Sequence, residues 1–474
     1  MSRDRTARRG RAARRSAPGP GTTGSTPAGP SPTPVGAVLE LAPDGFTHGG
    51  EGVARAEGKA VLVAGALPGE RVRAEVVEDH PRYARARTLE VLAAAPGRVV
   101  PPCPHATTCG GCDLQHVDPD VARTLRTRVV REQLARLGGL GAAAADLVAD
   151  CRPVGPDLGY RTHVQLHADD AGRLGFHRTG TRDVVPVDRC PVATDAVNAV
   201  RAAVGDATGA RGAALRVLDG HATAVLVPGA GPVTPPPADA PGTPATVALR
   251  PEEDRRGAPR PSTVLRGPDA VTATVAGIPF EVPVDAFFQA NLGGAEALVA
   301  TVLAAVGDVT HRDVWDLYAG VGLLSLPLAR AGAHVLAVEQ VAVAAAAATR
   351  NAERLGLDVT VLAERVEAAL ARAVAGDATL PPPEVVVADP PRAGLGGRAV
   401  EALGRLAPER IVLVACDVAS LARDVRDLTA RGYRLGRAEP LDLFPMTHHV
   451  EVVATLQRTA AAAPAPSGVS PARG

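Results

Sequence analysis

The residues with the greatest chemical potential in this chain stand at the ends of short apolar runs. Cys416 follows Ile411-Val412-Leu413-Val414-Ala415 and precedes Asp417. So apolar a run can bury a cysteine as a small core residue, but the carboxyl end of a strand is where open α/β sheets present reactive groups. A thiolate there is a candidate nucleophile. Asp389 ends Glu384–Ala388 and opens Asp389-Pro390-Pro391-Arg392, a strand-ending turn that could serve a ligand. The run Val314-Trp315-Asp316-Leu317-Tyr318-Ala319-Gly320-Val321-Gly322 ends in a Gly-x-Gly turn before a helix, where the backbone can approach a ligand closely. Glu339, 23 residues after Asp316, ends the next run and can accept both hydroxyls of a ribose. A dinucleotide site would want a third glycine to seat a pyrophosphate, but Leu323, Leu324 and Ser325 follow, which favours S-adenosylmethionine.

Two further constellations suggest binding. Phe287-Phe288-Gln289-Ala290-Asn291 spends two consecutive rings, and an amide, in a chain with only 6 Phe, 4 Tyr and 1 Trp. Such groups suit stacking on a base and reading its edge. Cys103, Cys109 and Cys112 cluster in a loop tightened by Pro104, Gly110 and Gly111, with Cys190 as a distant fourth thiol. Four thiolates suit zinc or an iron-sulfur cluster, and spacing alone does not separate them. Cys151 falls outside the pattern and reads as an ordinary thiol.

These groups need a scaffold, and 474 residues with 46% hydrophobic and 22% charged content can build two or three domains. Residues 1–34, with seven Arg against Asp4 alone, read as a disordered basic arm. Net charge is zero over the whole chain, so any polyanion site in the body is a local patch. Residues 35–95 alternate like a small β-barrel, with Arg55, Lys59, Arg71, Arg73, Arg82, Arg85 and Arg87 scattered through it. Residues 96–284 form a central domain carrying the cysteines and a Pro-rich surface insertion near 228–261. Residues 285–458 alternate apolar runs with helical stretches, the signature of a doubly covered parallel sheet, and Val450–Leu456 adds a hairpin edge strand. Residues 459–474 read as a loose tail. No apolar run approaches the ~20 residues of a membrane span, and no apolar signal core follows the Arg-rich start, so a cytoplasmic protein without a membrane partner is expected.

Phe288-Gln289-x-Asn291, Asp316-Leu317-Tyr318-x-Gly320-Val321-Gly322, Asp389-Pro390-Pro391-Arg392-Ala393-Gly394, Cys416 and His449-x-Glu451, in this order, resemble the bacterial RNA uracil-5-methyltransferases. Gly45-Phe46-Thr47-His48-Gly49-Gly50-Glu51-Gly52 resembles the first-strand turn of that family's TRAM domain, an oligonucleotide-binding-type barrel. The resemblance spans roughly residues 35–456 and implies an α/β fold: a C-terminal Rossmann-like methyltransferase domain, an N-terminal TRAM barrel and a central α+β iron-sulfur domain. It implies S-adenosylmethionine held by Gln289, Tyr318, Glu339 and Asp389, with Gly320 and Gly322 allowing its approach. It implies a 4Fe-4S cluster on Cys103, Cys109, Cys112 and Cys190, as in members acting on 23S ribosomal RNA. The partner expected is ribosomal RNA before transfer RNA, and the chain is expected to act as a monomer.

The chemistry implied is addition of Cys416 to carbon 6 of a uridine flipped out near Phe288, methylation at carbon 5, and proton removal by Glu451. Leu323 stands where the family often has Asn, Ala415-Cys416-Asp417-Val418 replaces Ser-Cys-Asn-Pro and leaves the loop less rigid, and Thr162-His163 stands where lysine is common. Two competitors remain: a cytosine-5 RNA methyltransferase, which would show Pro before the nucleophile where Ala415 stands, and a non-catalytic RNA-binding factor.

Overall fold

The computed structural model describes residues 33–206, 209–229, 231–238, 242–251 and 260–459. Most of the Arg-rich arm, and the tail from residue 460, lie outside the described residues.

Six strands, Val38–Leu41, Gly45–Phe46, Gly52–Ala56, Lys59–Ala64, Arg71–Asp79 and Tyr83–Ala93, form one barrel-like sheet. Period-2 alternation builds it: Val72, Ala74 and Val76 point inward with Val61, Val63, Ala84 and Ala86, while the arginines between them face out. Most of the basic residues found here by sequence are already partnered. Arg71 pairs with Glu40 at 3.0 Å, Arg73 with Glu90 at 2.7 Å, Arg87 with Glu75 at 2.9 Å, and Arg85 with Glu51. Lys59, the chain's single lysine, is buried and paired with Asp79. The barrel therefore does not present a bare polycationic face.

The cysteine loop leads into helix Pro119–Arg136, N-capped by Asp118. A seven-stranded sheet follows, whose central strands are His163–Ala168, Ala210–Leu218 and His221–Pro228. Helix Asp195–Val204 covers one face through Val197, Val200 and Val204. The Pro-rich segment is not wholly a surface insertion: Thr246–Leu249 joins this sheet, parallel to His221–Pro228, with Val247 and Ala248 fully buried. Its Thr-Val-Ala-Leu stretch has β-propensity that overrides the surrounding prolines.

The C-terminal sheet carries β1 (Asp313–Leu317), β2 (His334–Val338), β3 (Val359–Leu362), β4 (Val385–Ala388), β5 (Arg410–Ala415), β6 (Tyr433–Asp442) and β7 (Glu451–Arg458). Their order is β3-β2-β1-β4-β5-β7-β6, with Arg152–Pro153 beyond β6. β1 to β5 run parallel; β1, β2, β4 and β5 are largely buried on both faces, as their continuous apolar sequences require, while β3 is the half-exposed edge. The stretch near Val450 is not an edge: β7 runs antiparallel between β5 and β6. The direction of the chain reverses between β1–β2 on one side and β4–β5 on the other, the crevice where such sheets bind ligands.

Candidate active site

Tyr318, Glu339, Asp389 and Cys416 each follow the last residue of a parallel strand, so the sheet brings them to one edge. The turn after β1 is held in an uncommon shape. Tyr318 has φ +65°, Gly320 φ +57° and Gly322 φ +94°, and a non-glycine residue in that region marks a conformation enforced by its surroundings. Here the Tyr318 and Ala319 amides both donate to the Val338 carbonyl, at 2.9 and 3.1 Å. Glu339 braces the turn, one oxygen accepting from the Gly320 amide at 2.9 Å and the other from the Val341 amide at 2.6 Å. Its carboxylate is thus fixed beside the Gly-x-Gly backbone. Below the turn Asp316 is buried, accepts a hydrogen bond from the Ser325 hydroxyl, and is raised to about 7 by burial and then by Asp389 and Glu339.

β7 positions the second half of the site. Ala415 of β5 lies opposite Val452 of β7, so Cys416 and Glu451 occupy the next position outward on the same sheet edge. Cys416 lies in a pocket with Pro390, Arg392 and Asp417. Burial, then the carboxylates of Glu451 and Asp389, push its thiol up to about 11, while Arg392 pulls it down. Glu451 is buried, its Oε1 makes no hydrogen bond, and burial followed by Asp389 holds it well above the usual carboxylate range. Asp389 is raised to about 7 by removal from water. Three acidic groups therefore share one poorly hydrated edge, where each charge opposes the next.

The loop that carries Cys416 is firmly anchored although Val418 is not a proline. Asp417 caps helix Val418–Thr429, accepting from the Ser420 amide at 2.7 Å, and the Ser420 hydroxyl donates to the Arg392 carbonyl at 2.6 Å. Leu323 packs against the apolar cluster that includes Leu326 and Val321, so its side chain serves the core. Phe288 is 3% exposed and tilts against Phe280 with ring centroids 5.9 Å apart. Phe288 itself is therefore core, and the ring free to meet a base is Phe287, 71% exposed. Gln289 is buried, and Asn291 is a hinge pin: its Oδ1 caps helix Leu292–Val306, and its Nδ2 donates to the Leu443 carbonyl at 2.8 Å.

Sequence reasoning assigned no task to the groups around the β6–β7 loop. Arg392 Nη2 donates toward His449 Nε2 at 3.3 Å, and burial, His448 and Arg392 hold the His449 imidazole down to about 4, so it is neutral at pH 7. Asp113, next to Cys112, accepts the His448 amide at 2.7 Å and meets the His448 ring. The barrel reaches here too: a Cβ on Gly50 would lie 2.9 Å from His448 Cβ. Local sequence carries no signal for the contacts of His448 with Asp113 and Gly50, which join segments more than 300 residues apart.

Cys103, Cys109, Cys112 and Cys190 are half-buried and close enough to influence one another electrostatically. Burial first, and the neighbouring thiols after it, push Cys112 up to about 12. No group of three or more His, Cys, Asp or Glu side chains among the described residues is gathered so as to hold a metal ion. Cys151 is buried in the apolar core. No helix among the described residues is long and apolar enough to cross a membrane.

A parallel sheet of this order, with a glycine turn and carboxylates along one edge, has the architecture of an α/β methyltransferase. Among solved structures, a tRNA (uracil-54, C5)-methyltransferase from Pyrococcus abyssi in complex with S-adenosyl-L-homocysteine has the same fold, with a TM-score of 0.69 at 24% identity over 88% of this chain and 100% of that one. The tRNA (Uracil-5-)-methyltransferase family matches residues 274–459, and the TRAM domain matches residues 32–89. An RNA methyltransferase of Corynebacterium efficiens is 34% identical over 87% of this chain and 93% of its own length. The 23S rRNA (uracil(1939)-C(5))-methyltransferase RlmD of Pectobacterium atrosepticum is 33% identical over 85% of this chain and 90% of its own length. The chain belongs to the RNA uracil-5-methyltransferases, which are S-adenosylmethionine-dependent enzymes.

Proposed function

We propose that this protein methylates carbon 5 of a uridine in 23S ribosomal RNA through a covalent adduct with Cys416. The observation that carries the proposal is the juxtaposition of Cys416 with a buried Glu451 whose Oε1 has no partner. An unpaired buried carboxyl is costly and is retained where a ligand will use it. Ribosomal RNA is favoured over transfer RNA because the 23S relative matches across 90% of its length at 33% identity.

S-adenosylmethionine, when bound, supplies an electrophilic methyl group and a sulfonium charge. Glu339, Tyr318, Gln289 and Asp389 would hold it beside the Gly320 and Gly322 backbone. Cys416 loses its proton to water and its sulfur bonds to carbon 6 of the uracil; the electrons of the 5–6 double bond move toward the oxygen on carbon 4, and carbon 5 of the resulting enolate takes the methyl group, whose bonding pair stays with the donor sulfur. Glu451 then removes the proton from carbon 5, the 5–6 double bond reforms, and the sulfur leaves as thiolate. Arg392 opposes the build-up of negative charge at this edge.

Cys416→Ala is expected to abolish both methyl transfer and the covalent adduct with 5-fluorouridine RNA; an active variant would overturn the mechanism. Glu451→Gln is expected to form the adduct and release product about 10²–10⁴-fold more slowly. Release at the wild-type rate would remove Glu451 from the base role.

Cys103, Cys109, Cys112 and Cys190 are proposed to hold a 4Fe-4S cluster. Each thiolate of such a cluster binds a different iron, and Cys109, Cys112 and Cys190 each lie near enough to at least one other thiol of the four to feel its charge. The cluster would staple the cysteine loop to the central sheet. Anaerobically purified protein should absorb broadly in the visible and contain iron; colourless protein with one zinc per chain would defeat this assignment.

A further inference from the structure

Among the described residues, no helix covers the second face of the central sheet. Its floor is a cross-strand row of His163, Arg216 and Thr223, with Gln165, Ala214 and Val225 in the next row. These side chains line a cleft of about 370 Å³, closed on its rim by Arg250, Arg260, Asp285 and Phe287. Ala214 leaves room at the centre.

Several groups of this cleft lack a full set of partners among the described residues. Thr223 is 1% exposed, yet its hydroxyl makes no hydrogen bond. Arg260 is exposed and, among the described residues, has no acidic partner. Arg250 is 37% exposed and only 3.7 Å from Asp285, whose carboxylate is already taken by the Ser262 amide at 2.7 Å and hydroxyl at 2.6 Å. Arg216 is buried and spends its guanidinium on the carbonyls of Pro283, Val284 and Ala286 at 2.9, 3.2 and 2.9 Å. It thereby fixes the turn that pushes Phe287 outward. The cleft thus combines positive charge, unpaired hydrogen-bonding groups in its floor and an exposed ring at its mouth.

Resting on the reading of RNA as substrate, we propose that this cleft is a second nucleotide subsite, which takes an unpaired nucleotide beside the methylated uridine. Arg250 and Arg260 receive its phosphodiester, Phe287 stacks on it, and Thr223, His163 and Gln165 meet the polar edge of its base. This combination of cationic groups, a ring and edge-reading groups is how single-stranded RNA is held. None of these residues lines the Cys416 pocket, so the subsite is separate from the reacting base. The barrel's arginines are mostly consumed by acidic partners, which leaves the cleft as a place where backbone charge is still wanted.

The test is binding of a labelled single-stranded oligouridine to the full chain across a salt series. The double variant Arg250→Ala, Arg260→Ala should bind at least tenfold more weakly, with a slope of log affinity against log salt shallower by about 1.4, two phosphates' worth for a single strand. Phe287→Ala should weaken binding about tenfold without changing the slope, and the shape-conserving Thr223→Val by about fivefold. Thermal unfolding checks that each variant folds. Wild-type affinity and slope in the double variant would overturn the subsite, as would an unchanged affinity in both Phe287→Ala and Thr223→Val. If the unmodified chain fails to bind the oligonucleotide at low salt, the RNA-substrate reading falls together with this one. An active Cys416→Ala enzyme would overturn only the covalent mechanism, since this experiment reads binding alone.

Discussion

The Cys416 thiol is held in its neutral form in the chain alone. At about 11, it lies above the ~8.5 of a free cysteine because burial and two acidic neighbours oppose a third negative charge. Deprotonation therefore waits on positive charge brought to this edge. Removing an acid should do the same. Followed by mass spectrometry of the Cys416 peptide, alkylation by iodoacetamide should still be accelerating with pH above pH 9 in the wild type. Glu451→Gln deletes a negative neighbour, so the thiolate fraction at any given pH rises and the titration moves to lower pH. Arg392→Ala should move it upward. Superimposable profiles would mean that these groups do not sense one another. The residues of this site were legible because each sits at the end of an apolar run, where a polar side chain stands out. The side-chain direction of Phe287 and Phe288 was not. Adjacent rings point to opposite faces, and only the packing of Phe280 and helix Leu292–Val306 decides which is buried.

Between residue and domain, the elements that set the geometry are β5 and β7 with the loop before β7. Runs such as His334–Val338 and Arg410–Ala415 announce parallel strands by continuous apolarity. β6 did not, because Arg434, Gly436, Arg437 and Pro440 interrupt it. Without β6, β7 reads as an edge. The loop between them is held from outside: Leu114 donates to the Met446 carbonyl at 3.0 Å, Tyr160 to the Pro445 carbonyl at 3.0 Å, and Asp113 clasps His448. Met446 itself sits at φ +67°, a conformation that such tethers must enforce. Asp113→Ala should let the Thr447–Glu451 segment drift, slowing adduct formation about tenfold because small misplacements of reacting groups are costly. Affinity for S-adenosylmethionine should not change, since Glu339 and the glycine turn lie on other strands. Asp113→Asn, which keeps an acceptor for the His448 amide, should restore part of the rate. A loss of donor affinity equal to the loss of rate would mean that the domain had unfolded, and the clasp would have no role of its own.

The three parts of the molecule meet at the loop before β7. Phe46 and Leu67 of the barrel share one apolar cluster with Leu114 and Val117 of the cysteine segment and Leu125 and Val129 of the following helix. The barrel is therefore packed into the enzyme and does not hang from it as a tethered bead. His48 helps to hold Asp417 below the usual carboxylate range, after the Ser420 hydrogen bonds that overcome burial, so the barrel turn that carries His48 lies near the Cys416 loop. Two glycines of the barrel separate local strain from this contact. Gly50 and Gly58 both have φ +80°, so valine costs similar backbone strain at each. At Gly58 an added Cβ meets nothing within 4 Å, whereas at Gly50 it would lie 2.9 Å from His448 Cβ and 3.5 Å from Asp113 and Leu114. Gly58→Val should thus lose some thermal stability and keep its turnover. Gly50→Val should lose a comparable amount of stability and, in addition, at least tenfold in kcat/KM for methyl transfer, because the catalytic loop must yield to the barrel. Equal kinetics in the two variants would mean that the barrel serves only to bind RNA and takes no part in shaping the site where the thiol acts.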